Sequence, residues 1–246
     1  MKVLITGATK GIGYHLALLY KEKGYEVIGV GRSKEGLLNL ESKGITPVLL
    51  DVSDEESAVN LFNMHPDIDI LINNAGFGDV GFFSETEVEK DIKMIKTNVL
   101  GLHILTKLYF SQMVKNNKGH ILNVASVASF MPGPLMATYY STKAYVYRLS
   151  LSLMEEANKL KSKVKISVLC PGPVNTDFND TAGVRFKLKG KTPMFIARYT
   201  ISKMEKGKKI IVPGIDIKLS RFFIKFIPER IASKITYKMQ EKKTHN

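Results

Sequence analysis

The chain has a single cysteine, Cys170, in 246 residues, which excludes an internal disulfide framework. It ends the apolar run Ile166, Ser167, Val168, Leu169, and so reads as a buried structural thiol in a strand. No stretch approaches 18 consecutive apolar residues, so no membrane-spanning helix is expected. The N-terminus passes from Met1 straight into Val3, Leu4 and Ile5, without the charged and then greasy stretch of a signal peptide. Folding is therefore expected to begin at residue 2, in the cytoplasm. The five histidines show no metal-ligand spacing, and no metal is expected. Internal repeats, low-complexity tracts and Pro/Gly/Ser linkers are also missing. With 44% hydrophobic residues, the chain is expected to form one domain over 1–246.

What is present begins with charge. The net charge is +13, yet residues 1–183 hold 19 Lys+Arg and 19 Asp+Glu, while residues 184–246 hold 17 and 4. The whole excess lies in the last quarter. No recognised nucleic-acid motif or exposed aromatic platform accompanies it, so a nucleic-acid partner is not expected.

Short β-branched runs alternate with amphipathic stretches. Strands are expected near 2–6, 26–30, 46–50, 68–72, 119–125, 165–170 and 209–212. Strands such as Asp69, Ile70, Leu71, Ile72 are apolar on consecutive positions, as a sheet covered on both faces requires. The expected fold is α/β, a doubly wound parallel sheet in a Rossmann-like three-layer sandwich with seven strands. Ligands of such sheets bind beyond the carboxyl ends of the strands. Gly7, Arg32, Asp51, Asn73 to Gly76, Ser126 and Pro171 to Thr176 follow the first six strands in turn, so all fall on that edge.

The turn TGATKGIG, residues 6–13, leaves strand one and opens a helix to about Lys23. Gly7 permits the tight turn. Gly11 and Gly13 remove side chains where backbone must approach a pyrophosphate at the helix N-terminus. The spacing is not GxGxxG, and taken alone it also suits a plain strand-to-helix loop. An NAD site wants a carboxylate at the end of the second strand, to bond the ribose 2′-hydroxyl. Here that end reads Val30, Gly31, Arg32, Ser33, and Glu26 lies at the opposite end. Arg32 suits a 2′-phosphate instead, with Lys10 in reach of the same group, which favours NADP(H).

Tyr139 and Lys143 are four apart at the start of a helical stretch reaching about Leu160, so they share a face; Tyr140 points about 100° away. A phenol ionises near a pKa of about 10, and a nearby ammonium stabilises its phenolate, so Lys143 is expected to lower the pKa of Tyr139. The same spacing is common on ordinary amphipathic helices.

Taken together, TGATKGIG at 6–13, NNAG at 73–76, Asn98, Ser126 thirteen residues before Tyr139, the Tyr139 to Lys143 pentad and PGPVNT at 171–176 resemble the short-chain dehydrogenase/reductase family in its compact form, over residues 1 to about 213. The resemblance implies hydride transfer between NADP(H) and a carbonyl or alcohol. It implies that Ser126 bonds the substrate oxygen, Tyr139 exchanges the proton, Lys143 holds the nicotinamide ribose, and Asn98 anchors a water linking Lys143 to solvent. By the same resemblance Gly7, Thr9, Lys10, Gly11, Ile12, Gly13, Arg32, Asp51, Val52, Asn74, Ala75, Gly76, Pro171, Gly172, Val174 and Thr176 contact the cofactor, and a homodimer or homotetramer forms. Ser129, only ten residues before Tyr139, is expected outside the site. A non-catalytic NADP-binding or membrane-surface scaffold of the same fold is the alternative; it has no chemical need of the Ser126, Tyr139, Lys143 trio.

Near the expected mouth lie Phe77, Phe82, Phe83, Met131, Pro132, Leu135, Met136, Phe178 and Phe186, a lining for an apolar or acyl-type substrate or a core packing set. Residues 177–205 form the expected substrate-loop region, with basic residues at alternate places. Residues 216–246 are a basic amphipathic extension. In it Leu219, Phe222, Phe223, Phe226 and Ile227 precede Pro228, after which Ile231, Ile235 and Met239 run beside Arg230, Lys234, Lys238 and Lys242. Peripheral membrane contact, packing on the sheet edge, closure of the pocket and a subunit joint are all open to such a segment.

Overall fold

The computed structural model describes residues 1–175 and 190–244. The chain runs β1 (Lys2–Thr6), α1 (Gly11–Glu22), β2 (Glu26–Gly31), α2 (Lys34–Ser42), β3 (Thr46–Leu49), α3 (Glu55–Met64), β4 (Ile70–Asn73) and α4 (Val88–Ile95). A π-helical turn (Lys96–Gly101) leads into α5 (Leu102–Lys115), then β5 (His120–Val124), a 3-10 turn (Val127–Phe130), α6 (Ala137–Lys159) and β6 (Lys165–Leu169). After residue 190 come α7 (Pro193–Glu205), β7 (Ile210–Ile211), α8 (Ile215–Ile224) and α9 (Glu229–Thr244).

The seven strands form one parallel sheet in the order β3-β2-β1-β4-β5-β6-β7. The consecutive apolar strands arise because successive side chains enter different cores. Val3, Ile5, Ile70 and Ile72 pack under α1, α2 and α7, whereas Leu4 and Leu71 pack under α3, α5 and α6. Each such fully buried side chain contributes roughly 1.5–3 kcal/mol. Pro47 in β3 costs little because β3 is an edge strand. β4 starts two residues after its expected start and ends one beyond its expected end, at Asn73, while β3, β5, β6 and β7 each end one residue short.

Sheet order reverses between β1 and β4, so their carboxyl ends splay the following loops apart and open the crevice in which such sheets take ligands. The expected substrate-loop region divides. Residues 176–189, with Thr176, Phe178 and Phe186, lie outside the described residues. Pro193–Glu205 is a core helix, capped by Thr192 and packed on α1 through Ile196, Ala197, Ile201 and Met204.

Candidate active site

The glycine turn is held from below. Thr6 Oγ1 accepts from the backbone N–H groups of Asn74 (3.0 Å) and Ala75 (3.1 Å), and Asn74 Nδ2 donates to the carbonyls of Thr6 (3.1 Å) and Gly7 (3.0 Å). Gly7 has φ +64°, and a Cβ on Gly13 would stand 2.3 Å from the Gly7 carbonyl oxygen. Asn74 and Thr6 thus lock the turn. Thr6 escaped notice in the sequence, where its only signal is a hydroxyl placed just before the glycine. Like α4, α5, α6 and α8, α1 has no side-chain N-cap, but it alone of these opens from the glycine turn. Its first residues, Gly11 and Ile12, line the cavity, an arrangement suited to a pyrophosphate.

At the end of β2, Arg32 Nη1 lies 3.1 Å from Asp51 Oδ2. Asp51 is held further by Ser53 through its N–H (3.0 Å) and Oγ (2.8 Å), and these bonds with Arg32 keep its carboxyl below the ordinary range against the opposing effect of burial. The acid absent from strand two is thus supplied from the end of strand three, already paired with the arginine.

The π-helical turn brings Asn98 into the interior, where its backbone can pass close to Val52: a Cβ on Gly101 would clash with the Val52 carbonyl. Asn98 is fully buried. Its Oδ1 accepts from Phe77 N (3.0 Å), while Nδ2 donates to Phe77 O (2.9 Å) and Thr142 Oγ1 (3.1 Å). Its side chain therefore clamps the loop after β4 onto α6. A Cβ on Gly76 would stand 2.9 Å from Asn98 Oδ1 and 3.2 Å from Lys143 Nζ, so amide and ammonium converge on one point.

Ser126 leaves β5 in an extended conformation, its Oγ accepting from Ala128 N (3.2 Å), and it lies close enough to Tyr139 to influence the phenol's ionisation. Ser126, Tyr139 and Lys143 are all buried. Lys143 Nζ donates to the Val124 carbonyl at 2.9 Å and stands 5.9 Å from the centre of the Tyr139 ring. The expected lowering of the Tyr139 pKa does not occur. Burial pushes the phenol up to about 12, Ser126 offsetting only part of this, and burial also pulls Lys143 down to about 8. The ammonium is turned to Val124, and desolvation of the phenolate dominates. Ser129 Oγ instead donates to the backbone carbonyl of Lys143 (2.7 Å), outside the cavity lining. Tyr140 turns to the C-terminal extension, accepting from Gln240 Nε2.

One cavity of about 1200 Å³ joins these groups, from the glycine turn and Arg32, Asp51, Val52 to Ser126, Tyr139 and Lys143. Thr9, Lys10, Gly11, Ile12, Asn74, Ala75, Gly76, Pro171, Gly172 and Val174 also line it. Gly13 stands behind the turn as a packing residue. Phe77, Met131 and Met136 face the cavity; Phe82 and Phe83 are 50% and 72% exposed, and they, Pro132 and Leu135 are not in its lining. Closure of the pocket, one of the roles open to the extension, is what α8 and α9 provide: Ile217, Arg221, Thr236 and Gln240 roof the cavity. Among the described residues no group of acidic, histidine and cysteine side chains is arranged to hold a metal, and no helix is long and apolar enough to cross a membrane.

The family model for short chain dehydrogenase matches residues 1–184. The chain belongs to the short-chain dehydrogenase family. This dehydrogenase is 34% identical over 178 residues to a probable NADP-dependent dehydrogenase of Haemophilus influenzae, covering 69% of each chain. It is 36% identical over 197 residues to an NADP-dependent 3-hydroxy acid dehydrogenase of Salmonella typhi, covering 76% of this chain and 77% of that one. Among solved structures, a short-chain dehydrogenase from Sphingobium yanoikuyae in complex with NADPH superposes with TM-score 0.80 at 26% identity, covering 87% of this chain and 88% of that one. The seven-stranded, Rossmann-like sheet of the dehydrogenase agrees with that neighbour.

Proposed function

We propose that the cavity carries out hydride transfer between NADP(H) and a carbonyl or secondary alcohol. The chain is an NADP(H)-dependent oxidoreductase of its family. The observation that carries the reading is the buried trio Ser126, Tyr139 and Lys143, lining the same cavity as the glycine turn. The glycine turn and the α1 amides suit the pyrophosphate, Arg32 with Lys10 the 2′-phosphate, Asp51 and Val52 the adenine end, Lys143 the nicotinamide ribose, and Pro171, Gly172, Val174 and Thr176 the carboxamide end. The nicotinamide, when bound, supplies or accepts the hydride.

In reduction, Ser126 and Tyr139 both hold the carbonyl oxygen. As the carbon gains hydride the oxygen becomes alkoxide-like, and Tyr139 passes it the phenolic proton. A phenol raised to about 12 is fully protonated at neutral pH, which suits a donor. Lys143 then stabilises the phenolate left behind, and Asn98 positions the loop and the solvent path to Lys143. Apolar walls from Phe77, Met131, Met136 and Ile217 suit an apolar or acyl-type substrate. The relative acting on 3-hydroxy acids supports a substrate of that general kind. The same reading has the protein in the cytoplasm as a homodimer or homotetramer, with peripheral contact to the inner membrane face through residues 216–246.

A scaffold without turnover has no use for Lys143 buried as a cation, an arrangement that costs stability. The test is Tyr139→Phe. Turnover of NADPH with a competent carbonyl is expected to drop by about a thousandfold, with NADPH affinity kept. Full activity in that variant dismisses the assigned acid.

A further inference from the structure

The C-terminal extension has two unlike faces. Inward, Ala232, Thr236 and Gln240, spaced by four, are buried, Ile217 lies against Gly172, and Arg221 reaches Tyr147 OH (3.0 Å) across the Phe130 ring. Outward, Leu219, Phe222, Phe223, Phe226, Ile231 and Ile235 are all exposed, from 43% for Ile235 to 72% for Phe226. Phe222 contacts Phe223 and Phe226 with ring centres 5.6 and 5.3 Å apart, so the aromatics form one patch. Such an exposed aromatic cluster on a folded chain marks a contact site.

Charge selects the occupant. Between residues 216 and 240 there are six Lys or Arg and two Asp or Glu, and Lys218, Lys225, Arg230, Lys234 and Lys238 are exposed. A symmetric pairing of two copies would set one basic patch against another. Phenylalanines among lysines match instead an anionic bilayer surface, where rings enter the acyl boundary and ammonium groups meet phosphates.

Resting on the peripheral contact proposed above, we infer that the outer face of α8 and α9, centred on Phe222, Phe223 and Phe226, docks on an anionic lipid surface. The inner faces of the same helices roof the catalytic cavity, so docking holds the cavity about one helix diameter, ~10 Å, from the lipid. An apolar substrate dissolved in the membrane then lies beside its site.

Vesicle sedimentation of the full chain tests this without relying on turnover, so failure of the hydride-transfer reading leaves the result interpretable. Vesicles of phosphatidylcholine with about one-third phosphatidylglycerol are expected to bind the protein at least about tenfold more tightly than phosphatidylcholine alone, and less tightly as salt rises. Phe222→Ser/Phe223→Ser/Phe226→Ser is expected to lose about tenfold or more in binding, with NADPH affinity unchanged. Lys225→Glu/Lys234→Glu/Lys238→Glu, which leaves the aromatic patch intact, is expected to lose the preference for anionic lipid and serves if the triple serine variant does not fold. Absence of binding to either vesicle overturns the inference, as does equal binding to both. So does a concentration-dependent dimer in sedimentation velocity that the serine variant breaks while vesicles are ignored; that result would assign the face to a second copy.

Discussion

Arg32→Ala changes two charges' surroundings at once, because Arg32 and Asp51 are 3.1 Å apart at the same sheet edge. In the wild-type protein the guanidinium neutralises the carboxylate and offers its remaining N–H groups to a 2′-phosphate. Without it, the phosphate loses a charge-assisted contact worth about 1.5–2 kcal/mol at so exposed a site. It also faces a bare Asp51 carboxylate, which at ~5 Å in a water-like medium adds repulsion of about 1 kcal/mol. The sum, about 2.5–3 kcal/mol, corresponds to roughly 60- to 150-fold weaker NADPH binding. NADH carries a hydroxyl there, which the freed carboxylate accepts as a hydrogen-bond donor, so its affinity is expected to hold or rise a few-fold. Titration of intrinsic or cofactor fluorescence with each nucleotide measures both constants. Arg32→Ala/Asp51→Asn separates the terms, recovering the repulsive part for NADPH only. Equal losses for NADPH and NADH would refute the placement of the 2′-phosphate beside Arg32.

Three further outcomes are expected. Since Lys143 is drawn down to about 8 and Tyr139 raised to about 12, kcat/KM for reduction is expected to be level through neutral pH and to fall above about pH 8, as Lys143 rather than Tyr139 loses its proton; a profile level to pH 10 would refute this. For stability the sign is set by a depressed lysine: its contribution is complete above the unfolded value of 10.5 and is lost as pH falls through about 8. Lys143→Met is accordingly expected to melt higher than wild type at pH 7 and to lose that advantage near pH 10.5, as thermal melts will show. Gly13→Ala places a Cβ 2.3 Å from the Gly7 carbonyl oxygen and 2.5 Å from Asn74 Nδ2, so it is expected to cost about 1–3 kcal/mol in denaturant unfolding and to abolish NADPH binding. Wild-type affinity in that variant would contradict the tight packing of the turn.

Strand positions were legible because a sheet buried on both faces demands apolar residues in unbroken runs, a pattern carried by single residues and their neighbours. The pairing of Tyr139 with Lys143 was legible because one helical turn is a local distance. The behaviour of that pair was not. The phenol's pKa depends on how much water the β5, α6 and π-turn contacts exclude, and on where Lys143 finds an acceptor; both are settled by residues distant in sequence, such as Val124. The same holds for Arg32, whose partner Asp51 arrives from the next strand, and for Asn98, whose amide is consumed by Phe77 and Thr142. In α9 the apolar stripe of Ile231, Ile235 and Met239 beside a basic one left open which side is covered; the buried residues are Ala232, Thr236 and Gln240. Thr236 and Gln240 line the cavity, where Gln240 bonds Tyr140, a setting that rewards small and hydrogen-bonding side chains. Periodicity reveals that a helix has faces, while the chemistry of what lies opposite selects the one that is covered.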